Sequence, residues 1–139
     1  MHLHANNVVH RDLKLDNIML KKISKRKWCA KLGDFGQARQ LRYKEEKMKG
    51  FYGNQGTVTP EMLQLRKVRK QGESKAPGYN YKVDVWAFGS IFYSLFTTKP
   101  PFDKYDTERK SKFDLARAVM RGTWSLPERY RDAMSNEAL

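Results

Sequence analysis

The sequence has 139 residues, 40% of them apolar, which is enough for a packed core and bounds the chain to one domain or part of one. Lys and Arg number 28 against 15 Asp and Glu, a formal charge of +13 that draws the chain toward polyanions and says nothing about fold. The single cysteine, Cys29, excludes an internal disulfide, and no apolar run reaches the roughly 18 residues of a membrane span. The opening Met1 to Asn7 lacks the basic-then-apolar layout of a secretory signal, so a cytoplasmic or nuclear protein is expected.

In chain order, the residues through Ala5 read as the last turn of a helix. Ile18-Met19-Leu20 and Trp28-Cys29-Ala30-Lys31-Leu32 are apolar runs of strand length joined by the basic stretch Lys21 to Lys27, which predicts a β-hairpin. Residues 36–60 hold four glycines and no sustained periodicity, so they read as a long loop, and a loop of that length in a compact domain usually has a function. Residues 64–82 carry Arg66, Lys67, Arg69, Lys70 and Lys75 before Pro77-Gly78 and read as a solvated basic insertion. From about 84 to 98 the chain is apolar almost all round, which predicts a buried central helix with Trp86, Phe88 and Phe92 in the core. Lys99-Pro100-Pro101 ends it, since proline cannot continue the hydrogen-bond ladder. Phe113, Ala116, Val119 and Met120 recur at helical spacing with Gly122 as the stop, predicting a helix at about 106–121. Ser125-Leu126-Pro127 opens a last one at about 127–137. The fold class read from this order is α+β, mostly helical.

The stretch that carries chemistry is His10-Arg11-Asp12-Leu13-Lys14-Leu15-Asp16-Asn17. Alone, such a cluster reads as a solvated loop. It is followed by Asp34-Phe35-Gly36 across the predicted hairpin, then by Thr59-Pro60-Glu61, then by Asp84-Val85-Trp86-Ala87-Phe88-Gly89. Four motifs in this order resemble the eukaryotic protein kinase family, and the resemblance covers nearly the whole chain. Lysine two positions after Asp12 is similar to the serine/threonine class.

The resemblance implies phosphoryl transfer from ATP to a protein hydroxyl, a reaction that asks for positioning and charge neutralisation. By position in the motif, Asp12 orients the attacking hydroxyl and takes its proton. Asn17 and Asp34 are implied as ligands of Mg2+, with Mn2+ as an alternative, because these ions prefer oxygen. Lys14 places a positive charge near the transferred phosphate and is catalytic and nucleotide-binding at once. Asp84 is implied to accept backbone hydrogen bonds from the catalytic loop, with a helix N-cap as the alternative role. His10 reads as a packed structural histidine, Cys29 as packing, and Asp16 as a solvated loop residue.

In fold terms the resemblance implies the C-terminal lobe of a protein kinase with a small β-hairpin after the catalytic loop. Residues 1–139 would be a partial domain with catalytic loop 10–17, metal motif 34–36, activation segment 34–61 and the basic insertion 64–82. A glycine-rich loop and a Lys–Glu pair would lie before His10, and the arginine partner of Glu61 would lie past Leu139, leaving Glu61 a buried carboxylate without its partner. The expectation is a fragment with little activity alone, or an inactive kinase-like interaction module.

Two departures from the family pattern fall after Gly36. Gly56-Thr57-Val58-Thr59-Pro60-Glu61 is about three residues shorter than usual, so Thr57 and Thr59 compete for the substrate-proximal place. Gln37 to Gln55 holds no serine or threonine, although Arg11 marks a kinase whose loop is usually switched by phosphate. Tyr43, Tyr52, Thr57 and Thr59 are the candidate phosphosites, and Glu45 or Glu46 is expected to stand in for the phosphate by pairing with Arg11. The partners implied are a protein substrate and acidic or phosphorylated peptides. Nucleic acid is not expected, because the Lys/Arg clusters lie in loops with no interleaved aromatic recognition motif.

Overall fold

The computed structural model of the chain describes residues 2–53, 56–70, 77–105 and 112–131. Helix α1 (His2–Ala5) leads into strand β1 (Val8–Val9) and the loop at residues 10–17, which closes in a 3-10 turn at Leu15–Asn17. Strands β2 (Ile18–Lys22) and β3 (Trp28–Leu32) form the predicted hairpin, antiparallel from Ile18 opposite Leu32 to Lys22 opposite Trp28. Strand β4 (Arg39–Gln40) returns to pair with β1, Val9 opposite Arg39. That pairing lies inside the stretch expected as a loop, in a two-residue strand too short to show a sequence period. Helices α2 (Pro60–Lys70), α3 (Lys82–Thr97), α4 (Lys112–Arg121) and α5 (Glu128–Arg131) complete the described chain.

Residues 64–70 are the second half of α2, which corrects the expected insertion 64–82. Met62 and Leu65 are buried one turn apart with Val68 against the same cluster, while Arg66, Lys67 and Lys70 are exposed. The charges on the solvent side hid a three-residue apolar spacing on the other. Residues 71–76 lie outside the described residues, and Tyr79 beyond them is 2% exposed.

Helix α3 is also a correction. Val83, Ala87 and Ile91 are buried, but Val85, Phe88, Phe92, Leu95 and Phe96 are each half or more exposed. The helix is apolar all round, yet other described elements meet only one side of it. Trp86 is half-buried and stacks on Phe102 at 6.2 Å, whereas Phe88 and Phe92 are not core. The helix ends as expected: Thr98 takes a left-handed φ of 62° and returns its N–H to the Ser94 carbonyl before Pro100.

Helix α4 begins at Lys112, and the 106–111 part of its prediction lies outside the described residues. Its buried face is Leu115, Ala118 and Val119, while Met120 is half-exposed. Gly122 stops it with a φ of 61°, a conformation in which any side chain would be strained. Of the last predicted helix, 132–137 lies outside the described residues.

Two apolar clusters result. Val9, Leu41, Met48, Val58, Leu65 and Tyr79 gather between β1, the loop and α2; Phe102, Leu115, Ala118 and Val119 gather around α4. The first includes Val9, the residue that enters the 10–17 loop.

Candidate active site

The loop at residues 10–17 is held from behind by one carboxylate. Asp84, 3% exposed, accepts the backbone N–H of His10 on Oδ2 and that of Arg11 on Oδ1, each at 2.8 Å. His4 Nε2 meets Oδ2 at 2.8 Å. Asp84 is the third residue of α3, whose N-cap position is Tyr81, so the N-cap alternative is set aside. These bonds hold Arg11 at a φ of 68°, a left-handed conformation that costs a non-glycine residue roughly 1–2 kcal/mol. His10 is fully buried. Its Nε2 faces the Gly33 carbonyl at 3.0 Å and so carries the proton, and its Nδ1 accepts the Asp12 N–H at 3.4 Å. The Phe35 ring lies edge-on to it at 4.9 Å.

Asp12, Lys14 and Asn17 are brought into contact in front of that anchor. Lys14 Nζ donates to Asp12 Oδ2 at 3.1 Å, and Asn17 Nδ2 donates to the Asp12 carbonyl at 2.9 Å. The hydrogen bond to Asp12, and then the Asp12 charge, hold the Lys14 ammonium above the usual lysine range; Asp34 and Asp16 add in the same direction. Asp34 arrives through the register of the hairpin. Ile18 opposite Leu32 is the end pair, and the next residues are joined by Gly33 N–H to the Asn17 carbonyl at 2.8 Å. Asp34 follows at a φ of 54°, with its Oδ1 accepting the Gly36 N–H at 3.2 Å. Left-handed non-glycine residues at both Arg11 and Asp34 place local backbone strain on either side of the site.

The donor set fits a hard divalent cation. Asn17 commits its amide nitrogen to Asp12, which leaves the amide oxygen as the end that could meet a cation, and Asp34 carries a carboxylate of the same hard-donor type. Among the described residues no three His, Cys, Asp or Glu side chains cluster as a complete metal cage. Magnesium is typically held in this way, by one or two protein oxygens with phosphates and water completing the shell.

The remaining sequence candidates lie elsewhere. Arg11 turns to the segment after Gly36: its Nε donates to the Gln37 carbonyl at 2.6 Å, and its guanidinium lies 3.9 Å over the Tyr52 ring. The expected Arg11–glutamate pair is therefore corrected. Glu45 is exposed, and Glu46 is buried but pairs with Arg39 and Arg42. Glu61 is exposed on α2, so it is not a buried unpaired carboxylate. Thr59, 1% exposed, spends its hydroxyl on the Met62 N–H at the start of α2, which removes it from reach as a phosphosite. Thr57 and Tyr52 are half-buried and Tyr43 is exposed.

A protein kinase domain family model matches residues 1–139. Among curated relatives, serine/threonine-protein kinase PLK1 of Xenopus tropicalis is 36% identical over 102 residues, 73% of this chain and 14% of that protein. The calcium/calmodulin-dependent protein kinase type II alpha chain of Drosophila melanogaster is 37% identical over 138 residues, 99% of this chain and 23% of its own length. The chain belongs to the eukaryotic serine/threonine protein kinase family. It spans less than a quarter of the length of these kinases.

Within this kinase chain, sequence reasoning missed three contributors. His4 carries no motif signal, and only the fold brings it to Asp84. Arg39 reads as one charge among many until β4 pairs with β1. Tyr79 is buried with a hydroxyl that makes no hydrogen bond among the described residues. Burial raises its phenol above the usual tyrosine range, while the nearby Arg11 charge, not in hydrogen-bond geometry, pulls the other way.

Proposed function

We propose that the protein transfers the terminal phosphoryl group of ATP to a serine or threonine hydroxyl of a protein substrate, with this chain contributing the catalytic-loop lobe. The observation that carries the reading is the convergence of Asp12, Lys14 and Asn17 on one another, with Asp34 brought to the same end of the hairpin by the Gly33–Asn17 hydrogen bond. Asp12 Oδ orients the acceptor hydroxyl and receives its proton as the oxygen bonds to phosphorus and ADP departs. Lys14 stays protonated and balances negative charge on the transferred group. Asn17 and Asp34 are the residues that would hold Mg2+ or Mn2+, which when bound neutralises phosphate charge. Asp84 keeps the loop in place from behind.

The test is Mg-dependent ATP binding and phosphoryl transfer by the protein, compared with its Asp34→Asn variant. Stabilisation by ATP that needs Mg2+ and is lost in Asp34→Asn is expected; ATP binding indifferent to Mg2+ and to Asp34 sinks the assignment. A kinase-like interaction module without phosphate handling is the competing reading, favoured by the exposed aromatic side of α3. There Trp86, Phe92, Phe96, Phe102 and Trp124 line an open apolar cavity of about 420 Å³. Absence of any ATP effect selects that reading.

A further inference from the structure

Glu46 is 5% exposed and, with Asp84, is one of two buried carboxylates among the described residues. Such a group persists only where its charge and lone pairs are met. Both oxygens are met here. Arg39 Nη2 donates to Oε1 at 2.5 Å, the Arg42 N–H donates to Oε2 at 2.7 Å, and Arg42 Nε adds a longer contact of 3.4 Å to Oε2. The Arg42 N–H first, and the two guanidinium charges after it, hold the Glu46 carboxyl below the usual glutamate range against the opposing effect of burial.

The position of this ring of bonds gives it a consequence. Arg39 stands in β4 opposite Val9, the residue before His10. On the other side, Met48 is fully buried and exchanges both backbone hydrogen bonds with Tyr79, at 2.7 and 2.9 Å, five residues before Asp84. Glu46 thus ties together a stretch whose one end is paired to the strand entering the catalytic loop and whose other end is paired to the chain entering α3. Arg11 is engaged by Gln37 and Tyr52 and takes no part.

We infer that Glu46 is a positioning residue for the catalytic loop, its carboxylate holding the segment after Asp34-Phe35-Gly36 closed against β1 without phosphorylation of that segment. A phosphate on a loop side chain offers arginine the same charge-assisted hydrogen bonds. Here a carboxylate written into the sequence supplies them from inside, through Arg39 and Arg42 instead of Arg11. The link to catalysis rests on the phosphoryl-transfer reading; the closure itself does not.

The experiment is amide hydrogen exchange over residues 39–48, with transfer rates measured on the same samples. Wild-type protein before and after phosphatase treatment is compared with Glu46→Gln, Glu46→Asp and Arg39→Gln. Protection of wild type is expected to survive phosphatase. Glu46→Gln is expected to lose at least tenfold protection at Leu41, Arg42 and Met48 while α3 keeps its own, with kcat falling more than KM for ATP changes. Glu46→Asp retains the charge and part of the protection. Arg39→Gln gives an intermediate loss, and it carries the test if Glu46→Gln fails to fold. Wild-type protection in both Glu46→Gln and Arg39→Gln, or protection that disappears on dephosphorylation, overturns the inference. The expected protection changes in protein that transfers no phosphate uphold the closure and refute the catalytic reading alone.

Discussion

Replacing Asp84 with Asn tests whether one buried carboxylate holds the loop that begins at His10. In the native structure Oδ2 receives His10 N–H and His4 Nε2, and Oδ1 receives Arg11 N–H. An amide keeps one oxygen, and its better orientation leaves that oxygen at the Oδ2 place. The NH2 group then faces the Arg11 N–H, donor against donor. A hydrogen bond to a charged acceptor contributes about 1.5–3 kcal/mol, and an unpaired buried donor costs about 1–3 kcal/mol. The left-handed Arg11 also loses the bond that offset its backbone strain. We expect Asp84→Asn to destabilise the protein by about 3 kcal/mol and to lower Tm by roughly 10 °C for a chain of this size. Denaturant titrations of wild type and variant at equal slope measure the first quantity, and exchange of the Arg11 amide locates the damage. A loss below about 0.5 kcal/mol, the level of an ordinary surface substitution, or an Arg11 amide still protected, refutes the reasoning.

Asp12→Asn is expected to cut phosphoryl transfer by about 100- to 10,000-fold, the span a positioned general base supplies, while ATP stabilisation measured by thermal shift persists. Glu46, depressed in the fold and faced by Arg39 and Arg42, contributes stability that is complete above the usual glutamate range. That contribution is lost as pH falls through its lowered folded value. Denaturant midpoints of wild type and Glu46→Gln should therefore differ at neutral pH and converge on acidification; a constant gap counts against the ion cluster. Gly78→Ala places a methyl 2.7 Å from Lys47 Cβ and 2.8 Å from the Met48 carbonyl oxygen. It should part the Met48–Tyr79 bridge and cost about 1–3 kcal/mol, read by denaturation and by exchange at Met48; unchanged protection there would show that the backbone yields freely.

The hairpin was legible because its two apolar runs flank a polar turn, and that signal needs only neighbours in sequence. The stop of α4 at Gly122 and of α3 before Pro100 was legible for the same reason. Helix α2 was not, since its dense lysine and arginine content masked Met62, Leu65 and Val68. The exposure of Phe88, Phe92 and Leu95 was not either, because an apolar residue does not report whether anything covers it.

The sequence by itself determined the family, through four motifs in order, and with it the residues proposed for the chemistry: Asp12, Lys14, Asn17 and Asp34. The resemblance also implied a structural role for Asp84, and the sequence left Glu45 and Glu46 as equal candidates for a partner of Arg11. Only the tertiary structure decided what each one holds. Asp84 meets residues more than seventy positions away, and Glu46 takes Arg39 and Arg42 instead of Arg11. A buried charge is met by whichever donors the chain's path brings within about 3 Å, and that path is set by β1 pairing with β4 and by Met48 pairing with Tyr79, contacts that leave no period in the sequence.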